Sequence, residues 1–383
     1  MLMKIIKVSV VSALVFASTS HGQNDKNSLY NFDLYKNEKY FGGSKEAELE
    51  QFAKGSQIIL NGQKVLAKKN LRPRRVFHAK QHGCVTGRLT TIADRPLDKD
   101  RATYKGLFEE DQSFDVLARF SNGLGLIDHD KKPDFRGMAI KVIDAQENKN
   151  ADFLLINIPV GIAKDAEQFL DFTQKVVKHG AIVGTSIYAT LNPRAGVGVI
   201  KATGLLPYKV KSLATIHYWG GHPYLLGPDR AMKMVVIPTE SKEDSVRSLI
   251  GKGKNFLKVD LQDRLEKGPM TFKIGLQLDM DEKSTPIEDN VDRWTEKESP
   301  VIHVANLVFE QQNIKTLVHE QTCEYARFSP GNYHSDHRPL SNLGRARILT
   351  YQASQVGRNA NTKKISKDDI KLMRTKSIEK LQK

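Results

Sequence analysis

The sequence predicts an α+β fold, an antiparallel β-barrel with helical additions. Short segments of period-2 hydrophobic alternation recur between Val76 and Phe309. Amphipathic helical segments interrupt them, and neither an internal repeat nor a low-complexity linker divides the chain. With 383 residues, 39% hydrophobic and 27% charged, there is enough apolar material for a large core.

The chain begins with a processing pattern. Lys4 and Lys7 precede an apolar run from Val8 to Ala17, and Ser20-His21-Gly22 supplies small residues before Gln23. Residues 1–22 are therefore expected to be a signal peptide. The apolar run is too short to span a bilayer comfortably, and no other long apolar run follows. A mature protein without a transmembrane span, periplasmic or secreted, is the expectation. Residues 23–70 form an N-terminal arm and helices. The polar stretch Gln23 to Gly43 reads as an extended arm. Ser44 can cap a helix through Glu46, Leu49 and Phe52, and a second helical stretch carries Ile58 to Leu66. Arg72-Pro73 ends it.

The main domain is expected over residues 71–362. Strands are expected within Val76–Ile92 and at Val116–Ser121, Gly137–Asp144 and Asp152–Asn157. A helix over Glu167–Lys178 follows, with another at Arg194–Thr203 weakened by two glycines. Further strands are expected at Thr215–Tyr218, Met232–Pro238, Thr271–Leu278 and Pro300–Phe309, and helices at Glu243–Gly251 and Phe256–Leu265. Residues 363–383 form a basic amphipathic helix with Ile370, Met373 and Ile378 on one side.

The formal net charge is +15, from 59 basic and 44 acidic residues. The basic residues are spread along the chain, and no helix-turn-helix, zinc-finger or aromatic RNA-binding pattern accompanies them, so no nucleic-acid partner is expected. Cys84 and Cys323 lie 239 positions apart, too few and too distant for a disulfide framework. Two small buried hydrophobes are the expectation, with a bridge as the alternative. His334-Ser335-Asp336-His337, and His217 with His222, match no zinc spacing on a recognisable helix, and the first is read as a polar loop leading into Arg338.

Two motifs at opposite ends of the main domain carry the chemistry. Arg74-Arg75-Val76-Phe77-His78-Ala79-Lys80 offers a histidine. Arg347-Ile348-Leu349-Thr350-Tyr351, with Arg358 seven residues on, offers a tyrosine with an arginine four residues before it, on one face of a helix. Together they suggest two walls of a haem pocket, since tyrosine is an uncommon iron ligand used by haem proteins of the catalase type. Between them stand Arg119-Phe120-Ser121-Asn122, Arg136-Gly137-Met138-Ala139-Ile140-Lys141 and Asn157-Ile158-Pro159-Val160. Further on come Asp289 to Trp294 and Phe328 to Asn332. This order, from Arg74 to Arg358, resembles the haem catalase superfamily, and most of all its shorter, catalase-related members.

The resemblance implies a catalase-like barrel, haem b (iron protoporphyrin IX) as cofactor, and hydrogen peroxide or an organic hydroperoxide as substrate, with an unknown electron donor; by the same analogy the Gln23–Gly43 arm could serve a homo-oligomer. It implies Tyr351 as the iron ligand. Ionising a phenol near pH 7 must be favoured by about 4 kcal/mol, supplied by the ferric ion and by the Arg347 guanidinium. His78 is the implied acid/base for O–O cleavage, Asn157 a hydrogen-bonding group for the peroxide, and Ser121 the group that orients the imidazole. Arg75, Arg119 and Arg358 are candidates to pair with the haem propionates.

The sequence also departs from the family. Phe77 replaces a small aliphatic residue before the histidine. Gly161-Ile162 stands where two phenylalanines are usual. Gln81-His82-Gly83-Cys84 replaces a glycine-rich stretch, and an acidic residue is missing near Ser341-Asn342. These changes leave haem binding as the expectation and weigh against efficient disproportionation of hydrogen peroxide. Hydroperoxidase action is the first reading. Rearrangement of organic hydroperoxides, as in allene oxide synthases of the superfamily, is the second, and a non-catalytic haem carrier or sensor the third.

Overall fold

The computed structural model describes residues 33–70, 75–93, 104–132, 134–193, 210–240, 253–360 and 364–382. The signal-peptide expectation and the helices expected at 194–203 and 243–251 lie outside the described residues. Among the described residues, seven α-helices and nine strands follow in the order α1 (Lys45–Asn70), β1 (Gln81–Thr91), β2 (Ser113–Asn122), β3 (Arg136–Gln146), β4 (Lys149–Ile156), α2 (Ala166–His179), α3 (Ala181–Leu191), β5 (Tyr218–Gly220), β6 (Tyr224–Leu225), β7 (Ala231–Pro238), α4 (Phe256–Lys267), β8 (Met270–Leu278), β9 (Ile302–Phe309), α5 (Leu317–Tyr325), α6 (Ser341–Gly357) and α7 (Lys367–Leu381).

The strands pair antiparallel in the order β5-β4-β3-β2-β1-β9-β8-β7-β6. A further pairing, Tyr218 with Val236 and Trp219 with Val235, joins β5 to β7. It closes eight strands into a barrel and leaves β6 on its rim, so the predicted α+β barrel is the observed fold. Closure leaves no free edge among those eight strands.

Alternation assigns the two faces of each strand. Val116, Ala118 and Phe120 of β2, Met138 and Ile140 of β3, and Phe153 and Leu155 of β4 point into the barrel core with Phe272, Leu276, Leu307 and Phe309. The intervening positions point outward. Cys84, Leu117, Ile143 and Leu154 form a second cluster with Cys323, Phe328, Ile370 and Met373, which docks α5 and α7 on the outer face. Cys84 and Cys323 are joined by a disulfide with a Cα–Cα distance of 5.6 Å. The expectation of two separate buried thiols is thus corrected. An outward position on β1 meets the buried side of α5, a juxtaposition that 239 intervening residues conceal.

Other local expectations shift as well. The two helical stretches before Pro73 are one 26-residue helix, α1, with Ser44 accepting from the Ala47 amide at 3.1 Å. The strand expected at Thr215–Tyr218 begins only at Tyr218. The basic tail is a helix held at its start by a Ser366–Asp369 capping box, with Ile370 and Met373 buried and Ile378 exposed.

A buried charge network fixes α6. Arg345 is fully buried. It donates through Nε to Glu48 Oε1 at 2.7 Å and through Nη2 to Glu48 Oε2 at 2.9 Å and the Lys39 carbonyl at 2.8 Å, and Nη1 contacts Glu38. Glu38 also accepts from Arg338 Nη2 at 2.8 Å and from the Ser341 amide at 2.9 Å. Glu288 accepts from the Asn342 amide at 2.9 Å and the Lys39 amide at 2.8 Å. Glu38 and Glu288 therefore put carboxylates on the otherwise unsatisfied N–H groups opening α6, where the helix dipole favours negative charge. Both carboxylates at this helix start come from elsewhere in the chain, at residues 38 and 288.

Removing one partner of a buried pair leaves the other charge uncompensated, at a cost of about 3–5 kcal/mol. Arg345→Met is expected to lower unfolding stability by about that amount, read as a fall in urea midpoint. Lys376→Met, which breaks the exposed Lys376–Glu379 pair, is expected to change it by less than about 1 kcal/mol.

Candidate functional site

Outward positions of three adjacent strands form the floor of a cavity of about 200 Å³. Arg119 and Ser121 of β2, Gly137 and Ala139 of β3, and Leu154 and Ile156 of β4 all line it. The register places them side by side: Ser121 opposes Gly137, which opposes Ile156, and Arg119 opposes Ala139, which opposes Leu154. Residues 75–78 form one wall. Helix α6 forms another, with Arg347, Tyr351 and Gln355.

His78 sits just before β1 with φ 58°. This left-handed conformation is uncommon for a non-glycine residue, and such strain persists only where the surroundings hold it. Here the His78 amide donates to the Gly123 carbonyl at 2.7 Å, and the Ala79 amide to the Leu124 carbonyl at 3.1 Å. The imidazole lies over Gly137. A Cβ on Gly137 would come within 2.6 Å of His78 Nδ1 and 3.0 Å of Ser121 Oγ, so only glycine admits the ring there. Ser121 Oγ lies 3.1 Å from His78 Nδ1. Burial, then the charges of Arg119, Arg347 and Arg75, push the His78 pKa down to about 3. The side chain is partly exposed, but to the cavity. It is a neutral base near neutral pH.

On α6, Arg347 Nη2 donates to Tyr351 Oη at 3.1 Å, the one-turn relation expected from the spacing. A Cβ at Gly221 would meet Arg347 Nη1 at 2.8 Å, so the backbone turn after β5 is cut back to seat the guanidinium. His222 beside it is fully buried, with Nδ1 3.0 Å from the Pro223 carbonyl and Nε2 without a protein partner. Burial and the Arg347 charge hold it neutral, well below the usual histidine pKa. Its ring lies 4.4 Å from that of Tyr224, which is also buried. Sequence reasoning missed His222 by pairing it with His217, which instead stacks on Trp219 at 5.5 Å. The signal was the glycine pair Gly220-Gly221 before it, which marks a close backbone approach.

The remaining predicted residues divide. Arg75, Arg119 and Arg358 all line the cavity. Arg75 Nη2 donates to the carbonyls of Cys323 at 3.1 Å and Ala326 at 3.2 Å. Arg358 donates to the carbonyls of Glu324 and Ala326, both at 2.9 Å, while its buried Nε has no partner. Burial, then Arg75 and Arg327, push the Arg358 pKa down to about 8 against the pull of Glu324. This rim is short of negative charge. Asn157 is not among the lining residues. Its Oδ1 accepts from the Arg136 amide at 2.7 Å, and its buried Nδ2 is unpartnered.

The far wall is more aromatic than the sequence suggested. Phe77 stacks on Phe172 with centroids 6.2 Å apart and lies 6.5 Å from Phe169. With Phe135 these rings line the cavity beside Ile162, so α2 supplies the aromatic surface lacking at Gly161-Ile162. Among the described residues no cluster of three histidine, cysteine, aspartate or glutamate side chains is arranged for a metal ion. His337 instead accepts from the Leu107 amide at 3.0 Å with Nε2. The cavity thus combines largely apolar walls with a neutral histidine, a tyrosine beside a guanidinium, and three further arginines.

A model of the catalase family matches residues 58–185, a segment that includes Arg75, His78, Arg119, Ser121 and Asn157. The sequence matches no curated protein. Among solved structures, a fungal catalase is similar at TM-score 0.62 and 20% identity, covering 77% of this chain and 62% of its own. A bacterial catalase gives 0.62 and 19%, with 88% and 70% covered. Catalase A from Saccharomyces cerevisiae gives 0.61 and 17%, with 76% and 63% covered. The chain thus spans somewhat under two thirds of the fungal and yeast proteins. The family match covers residues 58–185, about a third of the chain, and the solved structures, all at 20% identity or below, show that the chain has the catalase fold.

Proposed function

We propose that this protein is a haem b-dependent hydroperoxidase acting on hydrogen peroxide or organic hydroperoxides. The observation that carries the reading is the convergence of two pairs on one cavity, His78 with Ser121 and Tyr351 with Arg347. The residues fit haem. The walls are apolar, a phenol beside a guanidinium suits ferric iron, and the buried, unpartnered Nε of Arg358 lies at a rim that calls for carboxylates. Tyr351 would bind as phenolate, with Arg347 holding the ionised form, and Arg75, Arg119 and Arg358 would take the propionates. Bound haem would supply the redox-active iron at which the O–O bond breaks.

His78 takes the proton from the hydroperoxide O–H and returns it to the oxygen that leaves as water or alcohol, so cleavage is heterolytic. Ser121 sets the plane of the imidazole. The unpartnered Nδ2 of Asn157 supports its role as a donor near that site. The phenylalanine wall at Phe77, Phe169 and Phe172 favours organic hydroperoxides within this class. Export to an oxidising compartment belongs to the same proposal, supported by the leader pattern and the Cys84–Cys323 bridge.

Peroxide consumption by haem-loaded protein tests the reading. His78→Ala is expected to retain haem and lose turnover by about 10²–10⁴-fold, the usual worth of a positioned acid/base; unchanged turnover would sink the assigned role. Gly137→Ala, which presses on the His78 ring, should lower turnover with haem content unchanged. The pH profile supplies a further check. A protonated His78 cannot accept a proton, so activity is lost as pH falls through its pKa in the folded protein. With that value near 3, and burial as its largest cause, turnover at pH 5 is expected to match that at pH 7. A loss centred near 6.5 would contradict it.

A further inference from the structure

We infer that the Cys84–Cys323 disulfide is a positioning element for the cavity's anion-binding arginines, an inference that rests on the haem reading above. Helix α5 is short, nine residues, and only His319 and Cys323 of it are buried. Leu317 is 73% exposed and Tyr325 43%, so packing alone holds this helix weakly. Its C-terminal end nevertheless carries the rim of the site. The last carbonyls of a helix lack intrahelical partners and concentrate negative partial charge. Here the Cys323 and Ala326 carbonyls accept from Arg75, and the Glu324 and Ala326 carbonyls from Arg358. The Glu324 carboxylate adds a contact to Arg75 at 3.6 Å. Two guanidinium groups that repel each other are brought together on one helix end.

The disulfide fixes where that end lies. Cys323 belongs to the same final turn, and its partner Cys84 stands directly across from Arg119 in the β1–β2 register. One covalent link therefore ties the carbonyl end holding Arg75 and Arg358 to the strand pair presenting Arg119. All three arginines line the cavity. Breaking the link frees α5 to shift and disperses the positive rim, while α6 stays held by the Arg345 pairs with Glu38 and Glu48 and His78 by its amide bond to Gly123.

The test compares two porphyrins in two proteins. Wild type and the double variant Cys84→Ser with Cys323→Ser are loaded with haem or with haem dimethyl ester, whose carboxylates are blocked. Transfer of each porphyrin to excess apomyoglobin is followed by absorbance. The expected result is at least tenfold faster loss of haem from the double variant, with the dimethyl ester leaving both proteins at rates within twofold. Equal haem loss from both proteins overturns the inference. So does equal acceleration for both porphyrins, since the bridge then steadies the whole pocket and does not act through the arginines. Should the serine variant not fold, Cys84→Ala with Cys323→Ala places small apolar groups in the same cluster and carries the same comparison. Wild-type protein that takes up neither porphyrin overturns the haem reading itself and the inference with it.

Discussion

The site depends first on the buried bond of Arg345 with Glu38 and Glu48. These charges lie where solvation is lost, and such networks often add little net stability over an apolar replacement. Their effect here is geometric. Glu48 lies on α1, Glu38 on the arm before it, and Arg345 in the first turns of α6. Any tilt of α6 separates them, so the network holds the helix in one orientation. Glu288 adds a third point by joining the Asn342 amide to the Lys39 amide. The Asn342 side chain then accepts from the Ala166 amide at 2.8 Å, carrying the constraint to the start of α2 and its phenylalanine wall.

From that orientation the rest of the cavity follows. Arg347 and Tyr351 project one and two turns beyond the fixed end of α6, toward the outward positions of β2, β3 and β4. The barrel contributes a rigid floor on which small residues leave room. Gly137 admits the His78 ring, and Gly221 admits the Arg347 guanidinium. Strain at His78 is held by hydrogen bonds to Gly123 and Leu124, a segment itself tied down by Asp134, which accepts from the Leu124 amide at 3.1 Å. The two walls are held mainly by separate networks, which also meet at the Ala326 carbonyl shared by Arg75 and Arg358.

Much of this was legible in the sequence. Period-2 segments gave β2, β3, β4, β7, β8 and β9 within a few residues, and the four-residue spacing of Arg347 and Tyr351 correctly implied one helix face. The cavity gathers every predicted site residue except Asn157, which stands beside it. What escaped were long-range relations with no local signal. The disulfide joins segments 239 residues apart. The carboxylates at the start of α6 come from residues 38 and 288. The aromatic wall of the cavity comes from Phe77, Phe135 and α2. His222 was obscured because the Gly220-Gly221 pair marks a close approach without naming Arg347 as the group that approaches.

The central claim is that α6 presents Tyr351 as the ligand of a haem iron on the wall across from His78. The most direct measurement is the absorption and resonance Raman spectrum of the protein reconstituted with ferric haem, for wild type and Tyr351→Phe. The account predicts a high-spin ferric spectrum with phenolate-to-iron charge transfer in wild type, and loss of that signature, or of haem, in the variant. Indistinguishable spectra at equal haem content would contradict it.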